Sequence, residues 1–347
     1  MTIKNVNKGL FAIFAILLLG TASVLPAASA QTEAQQIAQA NEQARAELES
    51  KTAKFNQLYN EDSEFKYNID LYRKTLFSDD GIDDAKWEIL KRTLNVVLLK
   101  TTGKTMPAEV ESEVRAYIEN DAAQVKAAKQ LTRTDGDINA SINFLSTCPT
   151  SSNYLPALYQ PTSDILNGNG LYRTYQKMTD GSIYSFSLPG ECVIEVTYAY
   201  YDEDHPTLDW LYDQVRNADW GRYDDIETFF VVVTKSSHAL DRLSFQKLTL
   251  TEGGTVRTVG AIYSGGNTWN NEAHNIAKIT SFNYYSGNHP KVYVNTWNHA
   301  LSESDNNSGM SDSIHSTWVS TTNGNRLTAE NAISSHTYTQ EDLVAAP

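Results

Sequence analysis

The sequence changes character abruptly near residue 135, and this change limits the fold more than any other feature. Residues 31–131 contain one proline and two glycines and are rich in Ala, Gln, Glu and Lys, a composition that favours helices. From about residue 136, short runs of Val, Ile, Thr, Tyr and Phe are separated by Gly, Asn, Asp and Pro, as in strands joined by turns. The sequence therefore predicts an α+β protein in which a helical N-terminal region precedes an all-β antiparallel sandwich.

Three stripes of apolar residues predict helices in the N-terminal region. They run over Ile37–Leu58, Trp87–Leu98 and Val110–Val125, each with the spacing of one helix face. Asp83 is suited to start the second helix, and Gly103 to end it as a left-handed cap. These helices indicate a hairpin or small bundle. It would be either a stalk that reaches a partner or a membrane, or an element that covers the following domain.

The boundary between the two regions is placed by a turn-forming segment, Asp135-Gly136-Asp137. We expect residues 31–135 to form the helical region and residues 136–347 to form a β-sandwich domain. The sharpness of the composition change predicts that the two regions are separable.

Seven runs in the C-terminal region have the composition of strands. No repeat of fixed period is visible, which disfavours propellers and solenoids, and the scarcity of helical patterns favours an antiparallel sandwich over a parallel sheet. One exception is Pro206–Val215, whose apolar residues have helical spacing, and Glu252-Gly253-Gly254 marks a hairpin. The predicted strands are Ile183–Leu188, Cys192–Tyr201, Thr228–Thr234, Leu243–Thr251, Thr255–Tyr263, Ala277–Tyr285 and Lys291–Trp297.

The first thirty residues have the three parts of an export signal. Lys4 and Lys8 form the positive segment, Leu10–Gly20 forms the apolar core and Ala28-Ser29-Ala30 forms the cleavage site. An uncleaved anchor is less favoured, because the apolar core is shorter than the roughly 20 residues that cross a membrane. We expect a secreted or periplasmic protein, cleaved after Ala30, with no transmembrane span in the mature chain.

Cys148 and Cys192 are the two cysteines of the chain. They are too few for a disulfide-dense scaffold or a four-thiolate zinc site. In an exported protein they can pair, and such a bridge stabilises the fold by roughly 3–4 kcal/mol in the chain-entropy model. Two buried free thiols are the alternative. The export signal favours the disulfide.

The net charge and the missing motifs exclude several classes of function. A formal net charge of −14 argues against a nucleic-acid partner, because phosphate binding needs a basic surface. The sequence has no phosphate-binding glycine motif and no G-x-S-x-G element, which disfavours nucleotide cofactors and serine-hydrolase chemistry. An acidic chain is instead suited to divalent cations.

Two acidic triplets stand next to predicted strands. Asp225 and Glu227 lead into a valine-rich run, and Asp202 and Asp204 follow a tyrosine-rich one. Residues two apart on a strand share a face, so each pair projects two carboxylates together, and Ca²⁺ or Mg²⁺ prefers such oxygen ligands. The triplets therefore predict a cation site at Asp202, Asp204, Asp225 and Glu227. The alternative is that they are solvated loop residues.

The segment Trp220–Val233 resembles the Gly-His-Arg-His-Asp-Trp-Glu heptapeptide, followed by a valine-rich strand, of the necrosis-inducing (cytolytic) protein family. It is also similar to the Gly-Asp-Trp-Glu segment of the vacuolar-sorting-type domain family. A tyrosine-rich strand, Thr197–Tyr201, precedes the motif in all three cases. His289–Val294 matches a later His-Pro-x-Val-Tyr-Val segment, and His299-Ala300 matches the His-Ala pair of the second family. The resemblance covers about residues 148–305.

The resemblance implies a secreted β-sandwich that holds one divalent cation in an acidic cavity and attacks membranes through a glycolipid head group. Gly221, Asp225 and Glu227 match the heptapeptide, and Asp202 or Asp204 would stand for the upstream acidic ligand. Both motif histidines are replaced, by Arg222 and Asp224.

Three further residues are candidates for the same cavity. His299 follows a predicted strand and would act as a ligand or a proton shuttle. His238 also follows a strand, although a surface turn is its more common environment. Asp224 would supply a replacement oxygen, but it faces away from Asp225 if the strand has already begun.

Three functional hypotheses follow. The first is a non-enzymatic secreted protein of the necrosis-inducing type that binds a divalent cation and a glycan or glycolipid head group. The second is a secreted hydrolase that uses the same carboxylates with a metal-bound water. The third is an interaction module whose helices dock a partner and whose acidic pocket is structural.

Overall fold

The computed structural model describes most of the chain from residue 32 onward, with gaps. The predicted export signal, the predicted strand Ile183–Leu188 and the expected boundary near residue 135 lie outside the described residues. Those described are 32–76, 78, 81–119, 148–181, 190–203, 208–245, 248–252, 255–259, 277–305, 314–317, 321–323 and 329.

Four helices lie within the described residues 32–119 of the N-terminal part. The first two are α1, Glu33–Glu61, and α2, Ser63–Leu76. Helix α3 spans Asp84–Thr102, and α4 covers residues 111–119. The first helix begins with a capping box, in which Thr32 and Gln35 exchange side-chain and backbone hydrogen bonds. Helix α2 was not predicted from the sequence.

The predicted ends of α3 are confirmed. The Asp83 side chain accepts a hydrogen bond from the backbone N–H of Lys86 at 2.8 Å, which satisfies one free donor of the first turn. Gly103 ends the helix with a φ of 74°, a conformation that costs glycine little because it has no Cβ.

A fifth helix, α5, spans Asp209–Trp220 and lies in sequence between two ten-residue strands of the β region, Glu191–Tyr200 and Asp225–Thr234. The helical spacing in Pro206–Val215 predicted it. Leu211, Val215 and the following Tyr223 are buried in one hydrophobic cluster with Phe55, Leu94 and other residues of the N-terminal helices. The apolar stripes of the helical region therefore pack inside the molecule, as expected for an element that covers the following domain.

Most strands form a six-stranded sheet and a five-stranded sheet. The six-stranded sheet has the order β13-β2-β3-β4-β5-β8 and is antiparallel except between β13 and β2. The shorter β6 and β7 pair separately, and Glu252 opposite Thr255 confirms the predicted hairpin. These strands are β2 (Leu171–Asp180), β3 (Glu191–Tyr200), β4 (Asp225–Thr234), β5 (Leu240–Phe245), β6 (Leu248–Glu252), β7 (Thr255–Val259), β8 (Ala277–Ile279) and β13 (Thr321–Asn323).

The five-stranded sheet is built around β10, which pairs with three other strands. It pairs in parallel with β1, and in antiparallel fashion with β9 and β11, while β12 pairs antiparallel with β1. The parallel pair departs from the predicted antiparallel pattern, because β1 and β10 are far apart in sequence and no short hairpin fixes their direction. The strands are β1 (Ala157–Pro161), β9 (Tyr284–Ser286), β10 (His289–Val294), β11 (Leu301–Ser302) and β12 (Ile314–Thr317).

Side chains from both sheets share a second hydrophobic cluster. Leu158 and Val292 of the five-stranded sheet meet Ile194 and Phe229 of the six-stranded sheet. The predicted disulfide is confirmed: Cys148 and Cys192 are bonded, with Cα atoms 5.8 Å apart. The chain is therefore an α+β protein with mainly antiparallel sheets, as the composition predicted.

The hydrophobic cluster shared by the N-terminal helices and α5 bears on whether the two regions can fold separately. We expect residues 136–347, expressed alone, to lose a cooperative unfolding transition, because the apolar face of α5 would be exposed to water. Circular dichroism during thermal unfolding, compared with residues 31–347, measures this. A sharp transition in the shorter chain would support the separability predicted from composition.

Candidate functional site

The predicted acidic pair Asp225 and Glu227 opens strand β4, next to two tyrosines of β3. Asp225 is opposite Tyr200 and Glu227 is opposite Tyr198 in the antiparallel register. Opposite residues share a face, and both tyrosines belong to the hydrophobic cluster between the sheets. The two carboxylates therefore project toward the interior, and both residues are buried.

His299 follows β10 and joins the Asp225 carboxylate inside the protein. Its side chain is fully buried, and its backbone has a φ of 56°. Nδ1 lies 2.8 Å from Asp225 Oδ2, and Nε2 lies 3.2 Å from Asp164 Oδ2. The imidazole also stacks on the Tyr200 ring, with centroids 3.9 Å apart and planes 16° from parallel. His299 therefore bridges two aspartates.

The second aspartate, Asp164, was not predicted from the sequence. It lies in a short helical turn that connects β1 to β2. Gln160 Nε2 donates to its Oδ2 at 2.7 Å, and Asn169 Nδ2 donates to its Oδ1 at 3.1 Å. The only available signal was a single acidic residue after a short apolar run, which is too common to indicate a site.

We refer to Asp164, Tyr200, Asp225, Glu227 and His299 as the His299 cluster. Burial raises the pKa of Tyr200 well above its usual value, and the neighbouring Tyr198 and the negative charges of Asp225, Glu227 and Asp164 raise it further. Among the described residues, no group forms a hydrogen bond with the buried Tyr200 hydroxyl. Two carboxylates thus bond the imidazole, and the charges of all three acids act on the buried phenol of Tyr200.

The charge state of His299 follows from its two carboxylate partners. Burial alone would lower its pKa, but the charges and hydrogen bonds of Asp164 and Asp225 outweigh burial and raise the pKa to about 10. Burial would likewise raise the pKa of Asp225, whereas His299 and the nearby arginines hold that pKa below its usual value. The arrangement is therefore a buried imidazolium between two aspartates.

Asp202 lies in a neighbouring group of charged residues. Its carboxylate accepts from Lys51 Nζ of α1 at 2.9 Å and from Arg216 of α5 at 3.0 Å. Lys51 also lies 2.8 Å from Asp213, and Arg216 lies 2.8 Å from Glu203. We call these five residues the Asp202 cluster. Its carboxylates are neutralised by side chains of two helices.

The remaining predicted residues lie elsewhere. Asp224 accepts a hydrogen bond from the Tyr172 hydroxyl at 2.6 Å, beside Ala199 and Ile226 on the opposite face of the sheet, and burial raises its pKa to about 6. His238 is exposed in the turn after β4, at the opposite end of the strand from Asp225. Asp204 lies outside the described residues.

Among the described residues, no group of three or more His, Cys, Asp or Glu side chains has a metal-binding arrangement. No helix in the described part of the chain is long and apolar enough to cross a membrane.

No protein-family model and no curated protein matches the chain. Among solved structures, part of the chain resembles the crystal structure of Necrosis and Ethylene inducing Protein 2 from the causal agent of cocoa's Witches Broom disease. The two share 13% identity and a TM-score of 0.22, over 50% of this chain and 73% of that chain. The resemblance is distant and supports no argument about the fold or function of this chain.

The bridge made by His299 predicts a pH-dependent stability. The pKa of His299 rises from 6.5 in the unfolded chain to about 10 in the folded protein. The protonated imidazole therefore stabilises the fold fully below pH 6.5, and this stabilisation is lost as the pH rises through 10. We expect His299→Asn to lower the free energy of unfolding by roughly 3–5 kcal/mol below pH 6.5, because it leaves two buried carboxylates without their cation. The loss should shrink toward pH 10.

Urea unfolding across this pH range measures the effect, and His238→Asn is the matched control. His238 also has a positive φ, of 53°, which asparagine tolerates, but it is exposed. The control should unfold like the unaltered protein at every pH. A His299→Asn loss that is constant with pH would contradict the charged bridge.

Proposed function

We propose that the protein is an exported, non-catalytic binding protein that holds one divalent cation, Ca²⁺ or Mg²⁺, at the His299 cluster. Asp225 and Glu227 are the central ligands, as the sequence motif predicted, and Asp164 is the third acidic group. The observation that carries the proposal is that two buried carboxylates, of Asp164 and Asp225, meet at His299, while the charge of the buried Glu227 also acts on Tyr200. With His299 between them, these carboxylates do not have a metal-binding arrangement in the structure, so we propose that an ion gathers them by displacing the imidazole.

The donor chemistry of the cluster fits a hard cation. Carboxylate oxygens are the ligands that Ca²⁺ and Mg²⁺ prefer, and three such groups close together in a buried site repel one another unless positive charge is supplied. Within the described residues, the Tyr200 hydroxyl and Asn169 Oδ1 are buried polar atoms that make no hydrogen bond. Both are additional oxygen donors beside the carboxylates.

In the structure, His299 supplies part of the positive charge that the cation would bring. Its two ring nitrogens occupy one oxygen each of Asp225 and Asp164. A cation bound by these carboxylates therefore competes with the imidazole for the same oxygens. Asp202 is already paired with Lys51 and Arg216. The proposed ligands are therefore Asp225 and Glu227 together with Asp164 instead of Asp202.

A non-catalytic role is favoured over the hydrolase hypothesis by the state of His299. In the structure, both ring nitrogens of His299 are engaged by Asp225 and Asp164, so neither is free to accept a proton as a general base. The imidazole is also fully buried, whereas a general base must lie within hydrogen-bond distance of the substrate or a reacting water.

Calorimetric titration of the metal-stripped mature protein with Ca²⁺ and Mg²⁺ tests the cation site. We expect Asp225→Asn and Glu227→Gln each to weaken binding by about tenfold or more, because each removes one ligand charge. Asp224→Asn is the matched control, since Asp224 is adjacent in sequence but bonds to Tyr172 on the other face. It should bind like the unaltered protein. Absence of heat with both ions would refute the proposal.

The proposed ligand outside the cation site is a glycan or glycolipid head group at a membrane surface. Tyr284 and Tyr285 in β9 are 45% and 47% exposed. Exposed aromatic rings present an apolar face with a polar hydroxyl, which suits a sugar ring at a wet interface. The disulfide supports export, because such bonds persist in oxidising compartments.

Co-sedimentation with vesicles, with and without glycolipid, tests the head-group ligand. We expect binding only to glycolipid vesicles, and a several-fold loss with Tyr285→Ser, since stacking on an aromatic ring contributes about 1 kcal/mol. Tyr67→Ser is the control, because Tyr67 is also exposed but lies on α2. Equal sedimentation with plain vesicles would contradict glycan recognition.

A further inference from the structure

Helix α1 lies across the turn that carries Asp164. At its start, Glu33 Oε1 accepts a hydrogen bond from the Thr162 hydroxyl at 3.2 Å. Three turns further along, Ala44 packs against Gly168, where an added Cβ would lie 3.7 Å from the alanine methyl. The helix therefore covers the outer side of the segment that places Asp164 beside His299.

Asn41 shows how closely the helix approaches this segment. A Cβ on Gly170 would lie too close to the Asn41 side-chain oxygen, so the Asn41 side chain rests directly on the backbone of this segment. Within the described residues, the buried Oδ1 of Asn41 accepts no hydrogen bond. A buried acceptor without a partner is unfavourable, and this part of the contact is therefore easier to separate than an apolar interface.

Lys51 makes the next contact of the same helix, with the Asp202 cluster. Its Nζ lies 2.9 Å from Asp202 Oδ2 and 2.8 Å from Asp213 Oδ2. Both acids belong to the β region and α5, so one lysine of α1 joins the helical region to the acidic side of the molecule. Arg216 connects the two clusters, because its charge acts on Asp202 and also on Asp225.

The two ends of α1 differ in how firmly they are held. Up to Lys51, the buried apolar residues of the helix are Ile37, Ala40 and Ala44, and Leu48 is partly buried against the helical cluster. Beyond it, Phe55 is fully buried in the helical cluster and packs edge-on against Phe65. Segments with few buried apolar contacts open at lower free energy than the core, so the first part of α1 is the part that can separate.

We propose that residues 33–51 of α1 are a strap that closes the cation site. Lys51 holds the strap in place through its ion pairs with Asp202 and Asp213. This inference rests on the proposed function. The carboxylates of the His299 cluster are buried, so an ion reaches them only when a covering segment moves. The strap covers the Asp164 turn through polar contacts and through residues that bury little apolar area, with Ile37 and Leu48 as its larger apolar side chains. The ion binds only the form in which the strap is released.

Calcium titration of the full mature chain tests the role of Lys51 in holding the strap. Lys51→Met removes the contact with Asp202 and Asp213, and we expect the apparent Kd for Ca²⁺ to fall about tenfold, because the apparent Kd is the intrinsic value divided by the open fraction. Lys54→Met is the control: it removes the same charge one turn later, where the lysine bonds the Thr101 carbonyl. Its Kd should be unchanged.

A second variant separates strap opening from the loss of a positive charge. Ala44→Leu crowds Gly168 without changing any charge, and Gln43→Leu is its control on the exposed face. We expect Ala44→Leu, but not Gln43→Leu, to lower the Kd for Ca²⁺. Hydrogen exchange of the amides of residues 33–47 should be faster in both Lys51→Met and Ala44→Leu.

The outcomes distinguish the strap from the cation site itself. Tighter calcium binding in both Lys51→Met and Ala44→Leu supports the strap. Equal binding in all variants overturns the strap and leaves the cation site intact. Tighter binding in Lys51→Met alone also overturns it, because Lys51 would then act only through its charge. Absence of calcium heat in every variant overturns both proposals.

Discussion

The β region depends on one buried interaction, the imidazole of His299 between the carboxylates of Asp164 and Asp225. These three residues come from the β1–β2 connection, the start of β4 and the loop after β10. A buried carboxylate without a partner is strongly unfavourable, so the three segments must stay together for any of them to remain buried. The ring of Tyr200 fixes the plane of the imidazole and thereby the direction of its two nitrogens.

The buried carboxylates of the β region and α5 also require positive partners, and helical side chains supply them. Asp202, Glu203 and Asp213 find their positive partners in Lys51 of α1 and Arg216 of α5. Removal of one partner from a buried ion pair costs more than the pair contributes. The helical region thus has an electrostatic role as well as an apolar one, although its composition resembles that of an independent bundle.

The packing of the helices bears on the hypothesis that the protein is an interaction module. An interaction module needs free apolar faces on its helices, but Phe55, Leu94 and Val114 are buried in the cluster they share with α5, and only single large apolar side chains, Tyr67 of α2 and Leu99 of α3, are exposed on the described helices. The described helices therefore use most of their buried apolar residues to pack on the rest of the molecule. The acidic residues beneath these helices are the chemically distinctive part of the molecule, and the predicted motif residues Asp225 and Glu227 lie among them.

The sequence by itself determined the elements whose signals are local. The α+β class follows from composition, the ends of α3 from Asp83 and Gly103, the β6–β7 hairpin from its paired glycines, and the disulfide from two cysteines in an exported chain. The shared face of Asp225 and Glu227 follows from the two-residue period of a strand. His299 was selected by its position after a strand within the motif resemblance.

Only the tertiary structure decided which of these residues meet. Asp164 is 135 residues from His299, and Lys51 is 151 residues from Asp202. Neither Asp164 nor Lys51 has a local sequence pattern that distinguishes it from a solvated surface residue. The parallel pairing of β1 with β10 has the same cause, since strands far apart in sequence are aligned by core packing rather than by a turn. Charges buried by long-range packing acquire partners that local spacing does not reveal.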